Sequence, residues 1–271
     1  MRRLITENEK KNLLVEMMEK LDIFFDNNDI TYFLAYGTLL GAVRHQGFIP
    51  WDDDIDLFLP RESFIKLIHL FEEKKEELLA LNLEIVEYGK NKKDYFKRFK
   101  IADNRTVMEE FCEERSAVFI DIFPLDCFPN KNIKKLRRFR KKILRIDNLI
   151  SLCYAGIAQG KGIKKIAYSF LLSVFKIIGL KKVFKHYENK LLKLTAFNEK
   201  GTFCASESSA TDRNFYETSD WVESVKIKFE SKLFNVPKGY HNVLKTNFGD
   251  YMQLPPEDQR HSHEYYEMYW R

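Results

Sequence analysis

Cysteine is scarce and badly placed for either of its structural uses. The four residues, Cys112, Cys127, Cys153 and Cys204, stand far apart, with no C-x-x-C pair and no histidines beside them. That spacing excludes a structural zinc site and points to reduced thiols in a cytosolic setting. Long apolar runs are also missing. None reaches the roughly 20 residues a membrane-spanning helix needs. The opening Met1-Arg2-Arg3-Leu4 runs into the charged Glu7-Asn8-Glu9-Lys10-Lys11 without an apolar stretch of signal-peptide length. The expectation is a cytoplasmic protein with at most peripheral contact at the inner face of the cell membrane. There is no internal repeat, no low-complexity linker, and no stacked-aromatic or glycine-rich RNA motif, so nucleic acid is disfavoured as a partner.

What is present describes a folded enzyme-sized chain. Hydrophobic content of 45% and aromatic content of 14% argue against disorder. A length of 271 residues allows a substantial core in one domain or two. Net charge is a mild +5, but its distribution is uneven. Lys131 to Lys193 holds 18 bases and two acids, Asp147 and Glu188, leaving 27 of the 45 bases and 38 of the 40 acids elsewhere. A basic segment on an acidic body suits an anionic partner: membrane phosphates, a phosphorylated substrate or nucleic acid.

The stretch that carries most chemistry is Tyr36-Gly37-Thr38-Leu39-Leu40-Gly41, followed by Trp51-Asp52-Asp53-Asp54-Ile55-Asp56-Leu57-Phe58. Four carboxylates in five positions repel one another, and apolar neighbours make their ionisation harder still. A cation among the oxygens relieves that repulsion. If Ile55 lies on a strand, Asp54 and Asp56 share one face about 6–7 Å apart. There they can converge on Mg²⁺, with Mn²⁺ as the alternative. Asp53 then points away, and Asp52 belongs to the Pro50-Trp51 loop. The competing reading is an acidic surface loop, against which Trp51, Leu57 and Phe58 weigh. Val118-Phe119-Ile120-Asp121-Ile122-Phe123-Pro124-Leu125-Asp126 reads as a strand, apolar but for Asp121 up to its closing acid, and an acid within such a run is costly unless paired or bound to a cation. Asp121 is therefore the third metal-site carboxylate, or else the partner of a nearby arginine. Asp126, after Pro124, reads as a turn or cap residue.

Around these lie regular elements. Thr6 to Asn27 has the helical spacing Leu13, Leu14, Met17, Met18, Leu21, Phe24. Ile30–Ala35 reads as a strand, Gly37-Thr38 as a turn suited to phosphate, and Leu39–Arg44 as a short helix. A strand over Ile55–Leu59 precedes a helix from Pro60 that buries Phe64, Leu67, Ile68 and Phe71. Leu83–Tyr88 and Tyr95–Asp103 read as strands, the second carrying Lys97, Arg98 and Lys100. Asn104-Arg105-Thr106 is a polar turn suited to phosphate, or else part of a solvated edge. Asn130–Leu149 is a basic helix, and Ile166 to Leu180 a second helix with an apolar face. The pair fits an anionic membrane, or equally a helical bundle with lysines toward solvent. Thr202–Ala205 and Val225–Phe229 read as strands, and His241–Phe248 as a short helix after Phe234 to Tyr240.

Taken together, Tyr36 to Arg44 with Gly47 to Asp56, then Phe119 to Asp126, then Phe248-Gly249-Asp250-Tyr251-Met252 through Pro255-Pro256 to Arg260 and His261, resemble the LicD family of phosphocholine transferases. The resemblance implies an α+β fold, a nucleotidyltransferase-like mixed sheet flanked by helices with an inserted basic helical segment. Residues 1–130 would form the catalytic core, 131–198 the insertion, and 199–271 the part that completes the substrate site. It implies transfer of phosphocholine from CDP-choline, with Mg²⁺, to a sugar hydroxyl of a lipid-linked or oligosaccharide precursor of teichoic acid or lipopolysaccharide. Asp54 and Asp56 match the metal pair, Asp121 the third acid, and Gly37 and Thr38 the phosphate turn. Arg44, Arg98 and Lys100 are candidates for the diphosphate, and the third block adds Asp250, Arg260 and His261. Rival readings are a nucleotidyltransferase, a transferase of phosphoethanolamine or another phospho-substituent, and a non-catalytic basic protein docked on membrane.

Overall fold

The computed structural model describes residues 2–87, 99–110, 113–115, 117–129, 162–178, 202–205, 215–260 and 267–271, with isolated positions of the basic segment at 132, 134, 135, 137, 138, 141, 142, 145, 186 and 193. The fold is α+β. Helix α1 (Glu7–Asn27) starts from a capping box, Thr6 accepting from the Glu9 N–H while Glu9 accepts from the Thr6 N–H. Its buried stripe holds all six apolar residues that the spacing predicts, plus Phe25 and Lys10. The strand expected over Ile30–Ala35 shrinks to β1 (Phe33–Leu34), and helix α2 (Tyr36–His45) begins at once. Gly37 and Thr38 are thus the first turn of that helix rather than a turn before it. Strand β2 (Ile55–Pro60) leads directly into α3 (Arg61–Glu73), and a further short helix, α4 (Lys75–Ala80), precedes β3 (Leu83–Glu87). Strand β4 (Phe99–Asp103) occupies the described end of the predicted Tyr95–Asp103 strand. Tyr88, Lys97 and Arg98 lie outside the described residues.

Strands β5 (Thr106–Glu110) and β6 (Glu113–Arg115) were not visible as a pattern, and β7 (Phe119–Phe128) runs through Pro124 as expected and continues past Asp126 to Phe128. Its first half pairs with β4 as far as Phe99↔Ile122, and its second half pairs with β8 (Thr202–Ala205) from Leu125↔Ala205. Pro124 falls between the two ladders, where a residue lacking an N–H is tolerated. The main sheet runs β1-β2-β7-β4-β3, with β8 beside β7 and β9 (Phe215–Glu217) beyond it. Only β2 and β7 pair in parallel among the described strands. Residues read as an approach to the last helix are instead β11 (Lys232–Pro237), hairpinned to β10 (Ser224–Phe229). Helix α6 (Tyr240–Phe248) follows, and β12 (Met268–Trp270) returns to pair with β5. In the basic segment, α5 (Ile163–Ile178) coincides with the second predicted helix. Of the described residues, no helix is long and apolar enough to cross a membrane.

Asp126 is no cap. Both its oxygens accept from Arg61 at 2.7 Å, and the two side chains are 0% and 6% exposed. The pair joins the first residue of α3 to the second half of β7, locking helix to sheet. A buried bidentate pair resists the loss of one partner more than its net contribution suggests, because the survivor is left charged and dry. Arg61→Ala is expected to destabilise the protein by about 3–5 kcal/mol. Urea unfolding would read that directly, and the joint replacement Arg61→Met with Asp126→Leu should cost clearly less.

Candidate active site

The site grows from the parallel register of β2 on β7. Asp56 lies opposite Asp121, and Asp121 lies opposite Lys100 on β4, giving one row of carboxylate, carboxylate and ammonium across three strands. Side chains on a strand alternate, so Ile55, Leu57, Ile120 and Ile122 face the other way, and all four are fully buried. The Lys100 Nζ stands 3.3 Å from Asp121 Oδ1 and 3.2 Å from the centroid of the Phe119 ring. Lys100 and Asp121 are 8% and 7% exposed, so this ion pair is largely out of water.

The face that carries the acids continues into an aromatic layer. Phe58 and Phe123, two residues beyond Asp56 and Asp121, pack edge-on to Tyr36 at 4.7 and 5.5 Å. Trp221 and Tyr216 close the layer on Phe58 at 5.6 and 6.1 Å. This apolar floor explains the electrostatics above it. Part of Asp56 is open, yet burial pushes its carboxyl well above the ordinary carboxylate range. Asp54, Asp121 and Asp52 push the same way, and Lys100 opposes them.

Tyr36 carries strain here. Its φ of +42° is in the left-handed region, unusual for an aromatic residue and costing about 1–3 kcal/mol. The ring contacts with Phe58 and Phe123 hold it, and the turn it makes delivers Gly37 and Thr38 against the acids. The Thr38 hydroxyl, almost fully buried, accepts from the Asp56 N–H at 2.9 Å, while the Asp56 carbonyl accepts from the Ala35 N–H at 2.9 Å. Thr38 is therefore what fixes the start of β2. Gly37 is glycine because a Cβ there would lie 2.5 Å from Asp52 Oδ2. The Asp52 carboxylate sits against the first turn of α2, a favourable end for an anion.

The other predicted residues divide. Asp53 does point away from the row, into a buried ion pair with Lys10 of α1 that anchors the acidic loop from behind. Sequence reasoning missed Lys10, although a lysine on the apolar stripe one turn before Leu14 was the available signal. Arg105 is not free for phosphate. It clasps Asp103 at 2.6 Å and Glu16 at 3.1 Å, and the Asp103 bonds raise its already high pKa further. Arg44 donates to the carbonyls of Tyr251 and Gln253 at 2.9 and 3.4 Å and to His45 Nε2 at 2.9 Å. Burial, then Arg44, holds His45 below its usual range, as suits an accepting nitrogen. Arg44 thus tethers residues 251–253 to α2. Arg260 stacks over Trp51 at 5.3 Å and donates to the Pro255 carbonyl, bringing residues 255–260 beside the acidic loop. Asp250 is exposed. Arg98 and His261 lie outside the described residues.

Among the described residues, no three acidic, histidine or cysteine side chains have converged into a ready coordination group. The donor chemistry nevertheless fits a hard divalent cation. It is all carboxylate oxygen, with two acids in register and two more close enough to act on Asp56 over an apolar floor. Removing one charge should relieve the repulsion on its neighbours. In buffer free of divalent cations, Asp56→Asn is expected to melt higher than the parent chain, by about 2–4 °C for each kcal/mol of repulsion removed. Calorimetry on the two proteins checks this, and a lower melting temperature would contradict the electrostatic account.

Comparison with known proteins agrees with this architecture. The family model described as the LicD/FKTN/FKRP nucleotidyltransferase domain matches residues 29–143, which span α2, β2 and β7 and all three acids. The Lipopolysaccharide cholinephosphotransferase LicD of Haemophilus influenzae is 29% identical over 271 residues, covering 98% of both chains. Uncharacterized proteins of Rickettsia typhi and Rickettsia prowazekii are 41% identical over 70 residues and 46% over 54. Those matches cover 26% and 20% of this chain, and 23% and 20% of theirs. Residues 29–143 are thus similar to the LicD/FKTN/FKRP nucleotidyltransferase domain, and nearly the whole chain is similar to a LicD cholinephosphotransferase.

Proposed function

We propose that the chain is a transferase that moves phosphocholine from CDP-choline to a sugar hydroxyl of a lipopolysaccharide-type glycan, using Mg²⁺. The observation that carries this reading is the register Asp56↔Asp121↔Lys100, set in a chain similar along 98% of its length to a cholinephosphotransferase. Asp54, Asp56 and Asp121 would hold the cation. When bound, it supplies positive charge to the phosphate oxygens and relieves the crowding of the carboxylates. A cytoplasmic setting goes with this reading, since four scattered cysteines with no C-x-x-C pair suit a reducing compartment.

The chain's own residues then do the following. Asp121 accepts the proton of the attacking sugar hydroxyl. The sugar oxygen forms its bond to the choline-bearing phosphorus as the bond from that phosphorus to the bridging diphosphate oxygen breaks. CMP leaves with the bridging oxygen. Lys100, buried beside Asp121, meets the charge that grows on the transferring phosphate, and dry surroundings strengthen that contact. Arg260, held over Trp51, is the second cation for the diphosphate. Arg44 serves through its grip on residues 251–253.

Incubation with CDP-choline, acceptor glycan and Mg²⁺ should release CMP and leave phosphocholine on the glycan. A nucleotide-modified glycan with free phosphocholine would instead make the chain a nucleotidyltransferase, the chemistry its domain description names. CDP-ethanolamine and CDP-ribitol in parallel reactions test the choice of donor. Asp54→Asn, Asp56→Asn and Asp121→Asn should each lower turnover at least about a thousandfold while the proteins stay folded by circular dichroism. Full activity in any of the three would remove that residue from the site. Added Mg²⁺ should raise the melting temperature of the parent chain and not that of Asp56→Asn.

A further inference from the structure

Helix α5 leaves a stripe of apolar side chains from its first two turns in water. Ile163, Ile166 and Phe170 are 85%, 68% and 71% exposed, and at i, i+3 and i+7 they form one stripe. Ala167 is exposed on the same side. A contiguous stripe of this kind marks a surface that something covers.

The charge of the chain segment that carries the stripe limits what that is. Its segment holds 18 bases against two acids, a net charge near +16. Each base there whose side chain is described is exposed, among them Lys134, Lys135, Arg138, Lys141, Lys142 and Arg145. A second copy of the chain would set two such segments against each other, which like-charge repulsion opposes. Nucleic acid would satisfy the lysines and leave the isoleucines and Phe170 wet. An anionic bilayer satisfies both, with phosphates for the bases and the acyl boundary for the stripe. The sixteen described residues of α5 extend about 24 Å, against the roughly 30 Å hydrocarbon core, a length that suits lying in the interface.

We propose that α5 lies in the plane of an anionic lipid bilayer, with Ile163, Ile166 and Phe170 in the acyl boundary and the surrounding basic residues over the lipid phosphates. This docking is independent of the reaction at Asp56 and Asp121, because none of these residues belongs to that site. A protein so docked would meet a lipid-borne acceptor at the membrane surface.

Co-sedimentation of the full-length protein with vesicles tests it. Binding is expected to mixed phosphatidylglycerol and phosphatidylcholine vesicles, weak binding to phosphatidylcholine alone, and release as salt is raised. Ile166→Ser with Phe170→Ser should weaken binding at least about tenfold, since each buried side chain contributes a comparable factor. Lys134→Glu with Lys141→Glu should weaken binding to the anionic vesicles and leave the weak binding to neutral ones unchanged. Both variants should keep the parent's melting temperature and its CMP release with a soluble acceptor. That control separates failure of docking from failure of the transferase reading. Three results would overturn the proposal: no binding to the anionic vesicles, undiminished binding by the serine variant, or a dimer in sedimentation equilibrium that the serine variant turns into a monomer.

Discussion

The parallel pairing of β2 with β7 sets Asp56 opposite Asp121, and two carboxylates on neighbouring strands repel across about 5 Å of sheet. Lys100 from β4 extends the row and offsets part of the repulsion. A shift of one residue in this register would turn Asp121 toward the face that holds Ile55 and Leu57 and would put Ile120 or Ile122 among the acids. The site therefore exists only while the hydrophobic pattern of β2 and β7 holds. The same alternation that buries Ile55, Leu57, Ile120 and Ile122 produces the acidic row.

Two buried ion pairs keep that register from drifting. Lys10 holds Asp53 just before β2 begins, and Arg61 holds Asp126 just after β2 ends. Such pairs add little net stability against an apolar replacement, but each has one satisfying geometry, so they specify arrangement. Between them, the Thr38 hydroxyl and the Ala35 N–H fix both backbone polar groups of Asp56. The strained Tyr36 turn belongs to the same scheme. The aromatic layer of Tyr36, Phe58 and Phe123 holds the strain in place and also keeps the dielectric low beneath the acids.

The periphery is assembled from distant sequence. Arg44 on α2 grips carbonyls more than 200 positions later, and Arg260 lies over Trp51. Residues 251–260 are thereby brought alongside the acidic loop although they contain almost no regular structure. On the other side of the chain's charge balance, α5 turns isoleucines and a phenylalanine outward amid lysines and arginines. The acidic body carries the aspartate row, and the basic segment carries a surface of opposite charge.

The sequence by itself was enough for the α+β class and for α1 with its full buried stripe, and it singled out Asp56 and Asp121, which the sheet sets opposite each other. Local periodicity and the cost of a lone acid in an apolar strand are properties of consecutive residues, so they can be read without a partner. It also expected Asp53 off the acidic row if the strand began that early; β2 begins at Ile55, and it is the pair with Lys10 that turns Asp53 away. Only the tertiary structure decided the partners: Lys10 for Asp53, Arg61 for Asp126, Glu16 and Asp103 for Arg105, and Lys100 in the acidic row. An ion pair depends on which side chains the fold brings within reach, and charge alone makes every arginine and lysine an equal candidate. Short strands such as β5, β6, β11 and β12 were invisible for a related reason, since their pairing lies in the partner strand and not in their own residues. The opposition of Asp56 and Asp121 across 65 positions is the clearest case: each acid is legible in the sequence, and their adjacency belongs to the sheet.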